Sequence, residues 1–309
     1  MRIATVLLAT LSIAFASPAQ AWTRPGHMVT AAIAWKEVEA HRPDLIGPLG
    51  QLLAAHPDRG PFQLAIDRTT GAEQTRRMLL QCARWSDDIR ETPQDQPSWH
   101  AAVKPVVKPG APTPPPADQV SGQAIEALRL NFAVAGNPRA SAAERARALC
   151  WVMHVGADIH QPLHVAELFS SAYPKGDGGG GRQFVKDPET GEPISLHWMW
   201  DDSVNRSGQV ADVDARASEI MGRYPRVSLK EAAGPAADFA GWAAESYALA
   251  TSAAYTGAIP TGARAATAVA VPEAAYRDVR SVAARRVALA GYRLADLLIA
   301  ILDAAAEPR

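Results

Sequence analysis

The chain contains 309 residues, of which 48% are hydrophobic and 20% are charged, which is enough for one large domain with a sizeable core. It has 31 lysines and arginines against 32 aspartates and glutamates, so the formal net charge is −1. A balance this even excludes a protein that holds a polyanion mainly through a basic surface.

The first 21 residues have the pattern of a secretory signal peptide. A basic start with Arg2 precedes the apolar run IATVLLATLSIAFA, and small residues occupy positions 19 and 21. We therefore expect cleavage after Ala21, export to the periplasm or the medium, and a mature single domain over residues 22–309. Removal of Arg2 leaves 30 basic and 32 acidic side chains, a charge of −2. The apolar run is too short to span a bilayer comfortably, so no stable membrane anchoring is expected.

The mature chain is predicted to be mainly α-helical. Apolar residues recur at helical spacing, and period-two alternation is nearly absent. The predicted helices cover residues 30–41, 73–83, 121–135, 142–161, 233–254 and 273–306. A small β-hairpin is predicted at 183–198, where the turn sequence DPETGEP separates two short runs. We interpret this pattern as a single-domain helical bundle with long loops.

Two irregular segments and one cysteine pair complete the outline. Residues 104–118 contain six prolines and are predicted to be an extended loop. Residues 175–182 contain four consecutive glycines and are predicted to be a second loop. Cys82 and Cys150 form either a disulfide after export or two buried thiols, and the spacing of one pair does not decide between these.

Potential metal ligands concentrate in HVGADIHQPLH, residues 154–164. His154 and Asp158 are four residues apart, so they share one face of a helix. Pro162 disfavours helix at the preceding residue, which places His164 just beyond the helix end. Imidazole nitrogen combined with carboxylate oxygen suits zinc, although a single pair of this kind is more often only a hydrogen bond.

The same residue types recur elsewhere. His197 and Asp201 repeat the four-residue spacing in LHWMWD, and the clusters RWSDD, SWH and WTRPGH add further aspartates and histidines beside tryptophan. Several separated pairs favour a site with more than one metal ion. Signal cleavage would also create an α-amino group on Trp22, whose pKa of roughly 7.7–8.0 allows it to chelate a metal together with its own carbonyl.

The ordered motifs W-x4-H, W-x-D, W-H, H-x3-D-x5-H and H-x3-D resemble those of the S1/P1 nuclease family, which are zinc-dependent and specific for single strands. The resemblance runs from Trp22 to Asp202 in motifs and continues to the C-terminus as helix pattern only. It implies the helical fold shared with zinc phospholipases C. It also implies an endonuclease that hydrolyses single-stranded DNA and RNA to 5′-phosphate products. RNA or DNA preference and 3′-nucleotidase activity stay open.

The resemblance further implies three zinc ions per chain. The first would be held by Asp87, His100, His154 and Asp158, the second by His164, His197 and Asp201, and the third by the Trp22 amine and carbonyl, His27 and Asp158. Asp158 would thus bridge two ions. Three Zn²⁺ ions less three carboxylates leave the site near +3, which attracts a phosphodiester without a basic surface.

Asp87 and Arg90 are the predicted catalytic residues. The family mechanism is an in-line attack by zinc-activated water on phosphorus, with a further zinc stabilising the departing 3′ oxygen. The resemblance implies that Asp87 orients the water and that Arg90 neutralises the transition state. A helix-surface cation is the alternative reading of Arg90.

Two features depart from the family pattern. In fungal members an aromatic residue follows the ligand histidine of the W-H motif and stacks on a nucleobase, but here that position is Ala101. The glycine loop, which usually ends in asparagine, here runs into Arg182. We expect Asp177, Gly179, Gly180 and Arg182 to contact substrate, with a merely mobile loop as the alternative.

Two rival functions are weighed against the nuclease. A zinc phospholipase C would space its terminal tryptophan and first histidine more widely and would end its ligand set with glutamate instead of Asp201. A non-catalytic periplasmic zinc-binding protein would have a coordinatively closed site. We expect a monomer whose partner is single-stranded nucleic acid or nucleotides, with no protein partner. His41 and His56 are expected at the surface, and His160 either beside the site or facing solvent.

Overall fold

Helices dominate the fold, which confirms the prediction of a mainly α-helical protein. The computed structural model describes residues 22–112, 116 and 119–306, and the predicted signal peptide lies outside the described residues. The helices are α1 (Arg24–His41), α2 (Ile46–Ala54), α3 (Arg59–Ala65), α4 (Gly71–Asp88), α5 (Ala124–Gly136), α6 (Ala142–Asp158), α7 (Leu196–Asp202), α8 (Val210–Arg223), α9 (Phe239–Leu249) and α10 (Glu273–Ala306). None of the helices described is both long enough and apolar enough to cross a membrane.

Two small sheets accompany the helices. Strands β1 (Lys104–Val107) and β2 (Ala166–Phe169) pair in parallel. Strand β3 (Phe184–Lys186) lies between the antiparallel β4 (Pro193–Ser195) and the parallel β5 (Val269–Ala270). The β3–β4 pair is the hairpin predicted from the sequence.

The prediction of an extended loop over residues 104–118 is wrong at its start, because residues 104–107 form strand β1. Pro105 is tolerated there because β1 has β2 as its single partner. A proline cannot donate to a ladder but can occupy an edge strand. The pairing matters for the site, because it joins the segment after His100 to the segment after His164.

The long helix α10 forms the centre of the bundle and packs along α1, with further contacts to α6 and α8. A glycine allows α10 to approach α1 closely. A Cβ at Gly291 would lie only 2.5 Å from the Cβ of Ile33 on α1. The α1–α10 packing therefore depends on the missing side chain at this position.

Helix α6 carries the first ligand pair, and its two ends have clear local causes. A capping box between Ser141 and Glu144 satisfies the first turn. The helix ends at Asp158, three residues before the predicted end, and the backbone at Gln161 is extended (φ −85°, ψ 122°) ahead of Pro162. Asp158 thus lies in the last turn, and His164 lies in a short 3₁₀ helix, Pro162–His164.

Helices α4 and α6 are linked covalently. Cys82 and Cys150 form a disulfide with a sulfur–sulfur distance of 2.16 Å. The sequence alone left this pairing open. Cys82 precedes Asp87 on α4 and Cys150 precedes His154 on α6, so the link joins two helices that supply candidate ligands.

Candidate metal centre

Asp158 lies at the middle of a buried group of histidines. Its Oδ1 is 3.2 Å from Nε2 of His27, while its Oδ2 is 3.1 Å from Nδ1 of His100 and 3.4 Å from Nε2 of His154. The two oxygens of one carboxylate therefore face different histidines. This is the arrangement expected of a carboxylate that serves two neighbouring ions.

Asp87 completes this part of the site from the end of α4. Its Oδ1 is 3.7 Å from Nε2 of His154, and its Oδ2 is 4.0 Å from Nε2 of His27. The ligand atoms form two overlapping groups that share His154. One group consists of His27, His154 and Asp158, and the other of Asp87, His100 and His154.

A third group is formed by His164, His197 and Asp201. Nε2 of His197 is 2.9 Å from Nε2 of His164 and 3.3 Å from Oδ2 of Asp201. His197 and Asp201 lie one turn apart on the short helix α7, while His164 comes from the 3₁₀ helix that follows α6. The H-x3-D spacing read from the sequence thus places both pairs on helical faces.

Backbone carbonyls fix the histidine rings from behind. Nδ1 of His154 donates to the carbonyl of Ala83 (2.8 Å), and Nδ1 of His164 donates to the carbonyl of His100 (2.7 Å). Nδ1 of His197 donates to the carbonyl of Gly179 (2.7 Å). A carbonyl only accepts, so each of these Nδ1 atoms carries the proton and each Nε2 presents a lone pair to the cluster.

Burial raises the pKa values of the carboxyl groups in the cluster and lowers those of its histidines. Desolvation raises the pKa of Asp158 to about 8, and it also raises the pKa values of Asp87 and Asp201. Desolvation lowers the pKa of His27 to about 4 and that of His154 to about 3. Neutral imidazole is the form that binds a metal, while the carboxylates need a nearby positive charge to stay ionised.

The spacing and bonding of these atoms fit metal ions. Ligands at about 2.0–2.2 Å from a tetrahedral zinc lie about 3.4 Å from one another, which is close to the imidazole–carboxylate distances of 3.2, 3.3 and 3.4 Å above. Buried atoms in the cluster also lack a hydrogen-bond partner, among them Nε2 of His27, Oδ1 of Asp158 and Oδ2 of Asp201. Buried polar atoms are rarely left in this state without a ligand.

Trp22 is anchored between two ligand-bearing segments. Its indole Nε1 donates to the carbonyl of Ala157 (3.1 Å), the residue before Asp158. The backbone N–H of Thr23 donates to the carbonyl of Asp201 (3.3 Å). These contacts bring the start of the expected mature chain to the cluster, while its part in metal binding stays a prediction.

A cleft of about 230 Å³ opens over the cluster. It is lined by the ligand residues His100, His164 and His197, and by Arg90. Nε of Arg90 is 3.4 Å from Oδ1 of Asp87, and its Nη2 has no hydrogen-bond partner. Arg90 is therefore not a helix-surface cation, since its side chain is 9% exposed and lines the cleft.

The predicted loop contacts divide into two sets. Gly179 lines the cleft, and it must be glycine because φ is +59° and a Cβ would lie 2.6 Å from the carbonyl oxygen of Leu163. Gly180, Asp177 and Arg182 do not line the cleft. Asp177 is fully buried and accepts hydrogen bonds from the backbone N–H of Leu168, from Gln183 and from Tyr255.

Arg182 donates to the carbonyl of Gly176 at 2.7 Å. These contacts support the loop from behind. Substrate binding by Asp177, Gly180 and Arg182 stays a prediction.

Sequence reasoning missed two polar residues at the site. Gln161 is buried, with Nε2 donating to Oδ1 of Asp201 (2.6 Å) and Oε1 accepting from the N–H of Leu163. Glu167 lines the cleft, and burial raises its pKa. Gln161 lies inside the H-x3-D-x5-H motif and Glu167 lies just after it, and this proximity could have identified both as site residues.

The surface position expected for His56 is wrong, and so is one of the two alternatives for His160. His56 is buried rather than at the surface, stacked on Phe62 with ring centroids 4.4 Å apart. His160 does not face solvent: its Nδ1 donates to the carbonyl of Gly156 (2.7 Å), and its Nε2 accepts from Arg293 (2.9 Å). Both form part of the packing around α4 and α6.

A mainly α-helical bundle with three clustered groups of buried imidazole and carboxylate ligands defines a protein built to hold metal ions. A family model described as S1/P1 Nuclease matches residues 22–303. The chain therefore belongs to the S1/P1 nuclease family, whose members are zinc-dependent hydrolases of phosphodiester bonds in nucleic acids. No curated protein sequence matches the chain significantly.

Proposed function

We propose that this nuclease holds three zinc ions and hydrolyses single-stranded DNA and RNA to 5′-phosphate products. We include 3′-mononucleotides among its substrates. One observation carries the proposal: the ligand residues predicted from separated motifs lie in one buried cluster beneath the cleft that Arg90 lines. The rival of a closed, non-catalytic site is disfavoured by this opening.

The proposed ligand sets are those that the family resemblance implies. Asp87, His100, His154 and Asp158 would hold the first ion, and His164, His197 and Asp201 the second. Trp22, His27 and Asp158 would hold the third. Bound zinc lowers the pKa of water to about 7 and stabilises charge on a departing oxygen.

The protein's own residues supply the remaining functions. Arg90 offers an unpartnered Nη2 to a phosphate oxygen, and Asp87 holds the Nε of that guanidinium at 3.4 Å. The carboxylate thereby orients the arginine toward the cleft and limits its motion. Backbone carbonyls keep the three Nε2 atoms of His154, His164 and His197 aimed at the cluster, so no reorganisation is needed when substrate arrives.

Export and processing belong to the same proposal. We propose cleavage after Ala21, release to the periplasm or medium, and a monomeric mature chain. The Cys82–Cys150 disulfide supports export, because disulfides persist in oxidising compartments. The hydrogen bond of the Trp22 indole to the carbonyl of Ala157, next to Asp158, supports the use of the new α-amino group as a ligand.

The test combines metal analysis with product analysis on the mature protein. We expect three zinc atoms per chain, cleavage of single-stranded DNA and RNA in magnesium-free buffer, 5′-phosphate ends, and loss of activity with a zinc chelator. Duplex DNA and phosphatidylcholine serve as comparison substrates. Hydrolysis of the phospholipid alone, or full activity with fewer than two metal atoms, would refute the proposal.

A second preparation tests the terminal ligand. A variant with one extra residue before Trp22 should lose one zinc selectively, because the amine is displaced from the cluster. An equivalent residue added after Arg309 is the control. Unchanged zinc content in the extended variant would count against the terminal chelate.

A further inference from the structure

The first three residues of the expected mature chain each contact a different ligand-bearing helix. The indole of Trp22 donates to a carbonyl at the end of α6. The N–H of Thr23 donates to the carbonyl of Asp201 on α7 at 3.3 Å. Nη2 of Arg24 donates to the carbonyl of Asp87 on α4 at 2.9 Å. We call these three residues the terminal segment, which thus joins α4, α6 and α7.

Arg24 makes a second contact, with an anchor on α4 that is itself held in place. Its Nε is 2.8 Å from Oδ1 of Asp88. Nη2 of Arg84 is also 2.8 Å from this Oδ1, and Nε2 of Gln81 donates to Oδ2 at 2.8 Å. Because one planar guanidinium contacts two successive residues of α4, the tether fixes its orientation as well as its distance.

The start of α1 gives up local helix stabilisation for these contacts. Thr23 occupies the N-cap position but makes no cap hydrogen bond, and its hydroxyl donates to the carbonyl of Asn205 at 3.2 Å instead. Arg24 is the first helical residue, where the helix dipole disfavours a cation, and the first turn contains no acidic residue. A segment that breaks local rules while binding distant helices is typical of a functional site.

The tether also fixes the position of His27. Arg24 and His27 are three residues apart on α1, so they lie on neighbouring parts of one helical face. Nε2 of His27 is 3.2 Å from Oδ1 of Asp158 and 4.0 Å from Oδ2 of Asp87. The residue whose carbonyl binds Arg24 therefore also carries a carboxylate that faces His27. The distance between α1 and α4 in the cluster depends on this connection.

We propose that Arg24 is a positioning residue for the third ion, which it serves by holding the Trp22 amine and His27 against α4. This inference rests on the proposed function, of which the third ion is a part. Without the tether, zinc binding would have to order the terminal segment, and that ordering lowers affinity. Arg24 does not line the cleft, and its pairing with Asp88 adds no net positive charge beside the ions.

The test measures zinc per mature chain after dialysis against buffers of fixed free zinc. In Arg24→Ala, the free zinc that half-saturates one of the three ions should rise about tenfold, since a hydrogen bond from a charged group is lost. The other two ions should bind as in the parent protein. Arg24→Lys keeps the charge, but an ammonium lacks the planar fork, so its effect should be intermediate.

Arg84→Ala is the matched control. It removes an ion pair to the same Asp88 carboxylate, from a side chain that is 29% exposed, while Gln81 still holds that carboxylate. Zinc binding should therefore be unchanged. Turnover of bis(4-nitrophenyl) phosphate by Arg24→Ala should recover as free zinc is raised, because only the occupancy of one ion is affected.

Unchanged zinc binding in Arg24→Ala, or an equal weakening in Arg84→Ala, would overturn the positioning role. A loss of turnover that added zinc does not reverse would also overturn it, because Arg24 would then support the structure in general. Fewer than three ions in the parent protein, or unchanged zinc in the chain extended before Trp22, would instead refute the proposed third ion.

Discussion

Asp158 is the residue on which the cluster depends most, because its two oxygens face His27 on one side and His100 with His154 on the other. The sequence allowed this residue to be chosen as a ligand, since the H-x3-D spacing fixes a shared helical face. Sequence spacing could not predict how Gln161 contacts Asp201, because that contact depends on how the chain turns after α6.

The substitution Asp158→Asn should remove nearly all activity and loosen two of the three proposed zinc ions. An amide keeps the shape of the side chain but carries no negative charge to share between two cations. Zinc per chain, measured after dialysis, checks the loss. Asp238→Asn is the control, since Asp238 caps α9 outside the cluster. Full activity with three retained ions would rule out the bridging role.

Removal of the Arg90 guanidinium should slow turnover while leaving the metals in place. We expect Arg90→Ala to lower kcat by about 10²–10³-fold, similar to the loss of one donor to transition-state charge. Arg68→Ala is the matched control, because the Arg68 side chain is 92% exposed. Steady-state kinetics with zinc analysis checks this prediction, and a change confined to KM would show that Arg90 binds the ground state and the transition state equally.

At the scale of elements, the sequence predicted the helices α1, α4, α5, α6, α9 and α10 and missed α2, α3, α7 and α8. Helix α2 was not predicted, because Gly47, Pro48 and Gly50 in its sequence are poor helix formers. Pro48 is acceptable there since it lies in the first turn, where its missing N–H costs nothing. The helix predicted over residues 233–254 begins only at Phe239, after a 3₁₀ turn, Lys230–Ala233.

The α4–α6 disulfide should contribute strongly to stability, because it closes a loop with a sequence separation of 68 residues. The chain-entropy model gives about 4 kcal/mol for a loop of this length. Urea unfolding of the double variant Cys82→Ala/Cys150→Ala should therefore show a lower free energy of unfolding. Reductant should destabilise the parent protein but not the variant, and equal sensitivity of both would exclude the disulfide as the cause.

At the scale of the whole molecule, the bundle encloses a concentration of buried acids and bases. It can do so because α1, α4, α6 and α7 each contribute one or two ligands to the same region. Order along the chain identified the ligand residues, but the grouping of His27 with His154 and Asp158 depends on how distant helices pack. This arrangement also links metal binding to global stability.

The metal-free protein should lose stability as pH rises from about 6.5 to 8.5. Below about pH 6.5 the unfolded chain binds protons at His27 and His154 that the folded chain excludes, since burial lowers their pKa values to about 4 and about 3. The contribution of these two histidines to stability therefore rises with pH up to the ordinary histidine pKa of 6.5. Above it, these histidines are neutral in both states and contribute no further change.

Above pH 6.5, Asp158 determines how stability changes with pH. Burial raises its pKa from 3.8 to about 8, so between these values the folded chain holds a proton that the unfolded chain has released. Its stabilising contribution is lost as pH rises toward 8, by up to about 2 kcal/mol from pH 6.5 upward at 1.36 kcal/mol per unit. Zinc should abolish this fall, because it stabilises the ionised carboxylate.

Thermal unfolding with and without chelator, at pH 6.5 and pH 8.5, measures both effects. The Tm of the chelated protein should be lower at pH 8.5 than at pH 6.5, whereas the zinc-loaded protein should show no such decrease. In metal-free Asp158→Asn the decrease should be smaller, because an amide has no proton to release in this range. A Tm that rises with pH in the chelated parent protein would mean that these buried carboxyl groups are already ionised without metal, and that the cluster compensates their charge by other means.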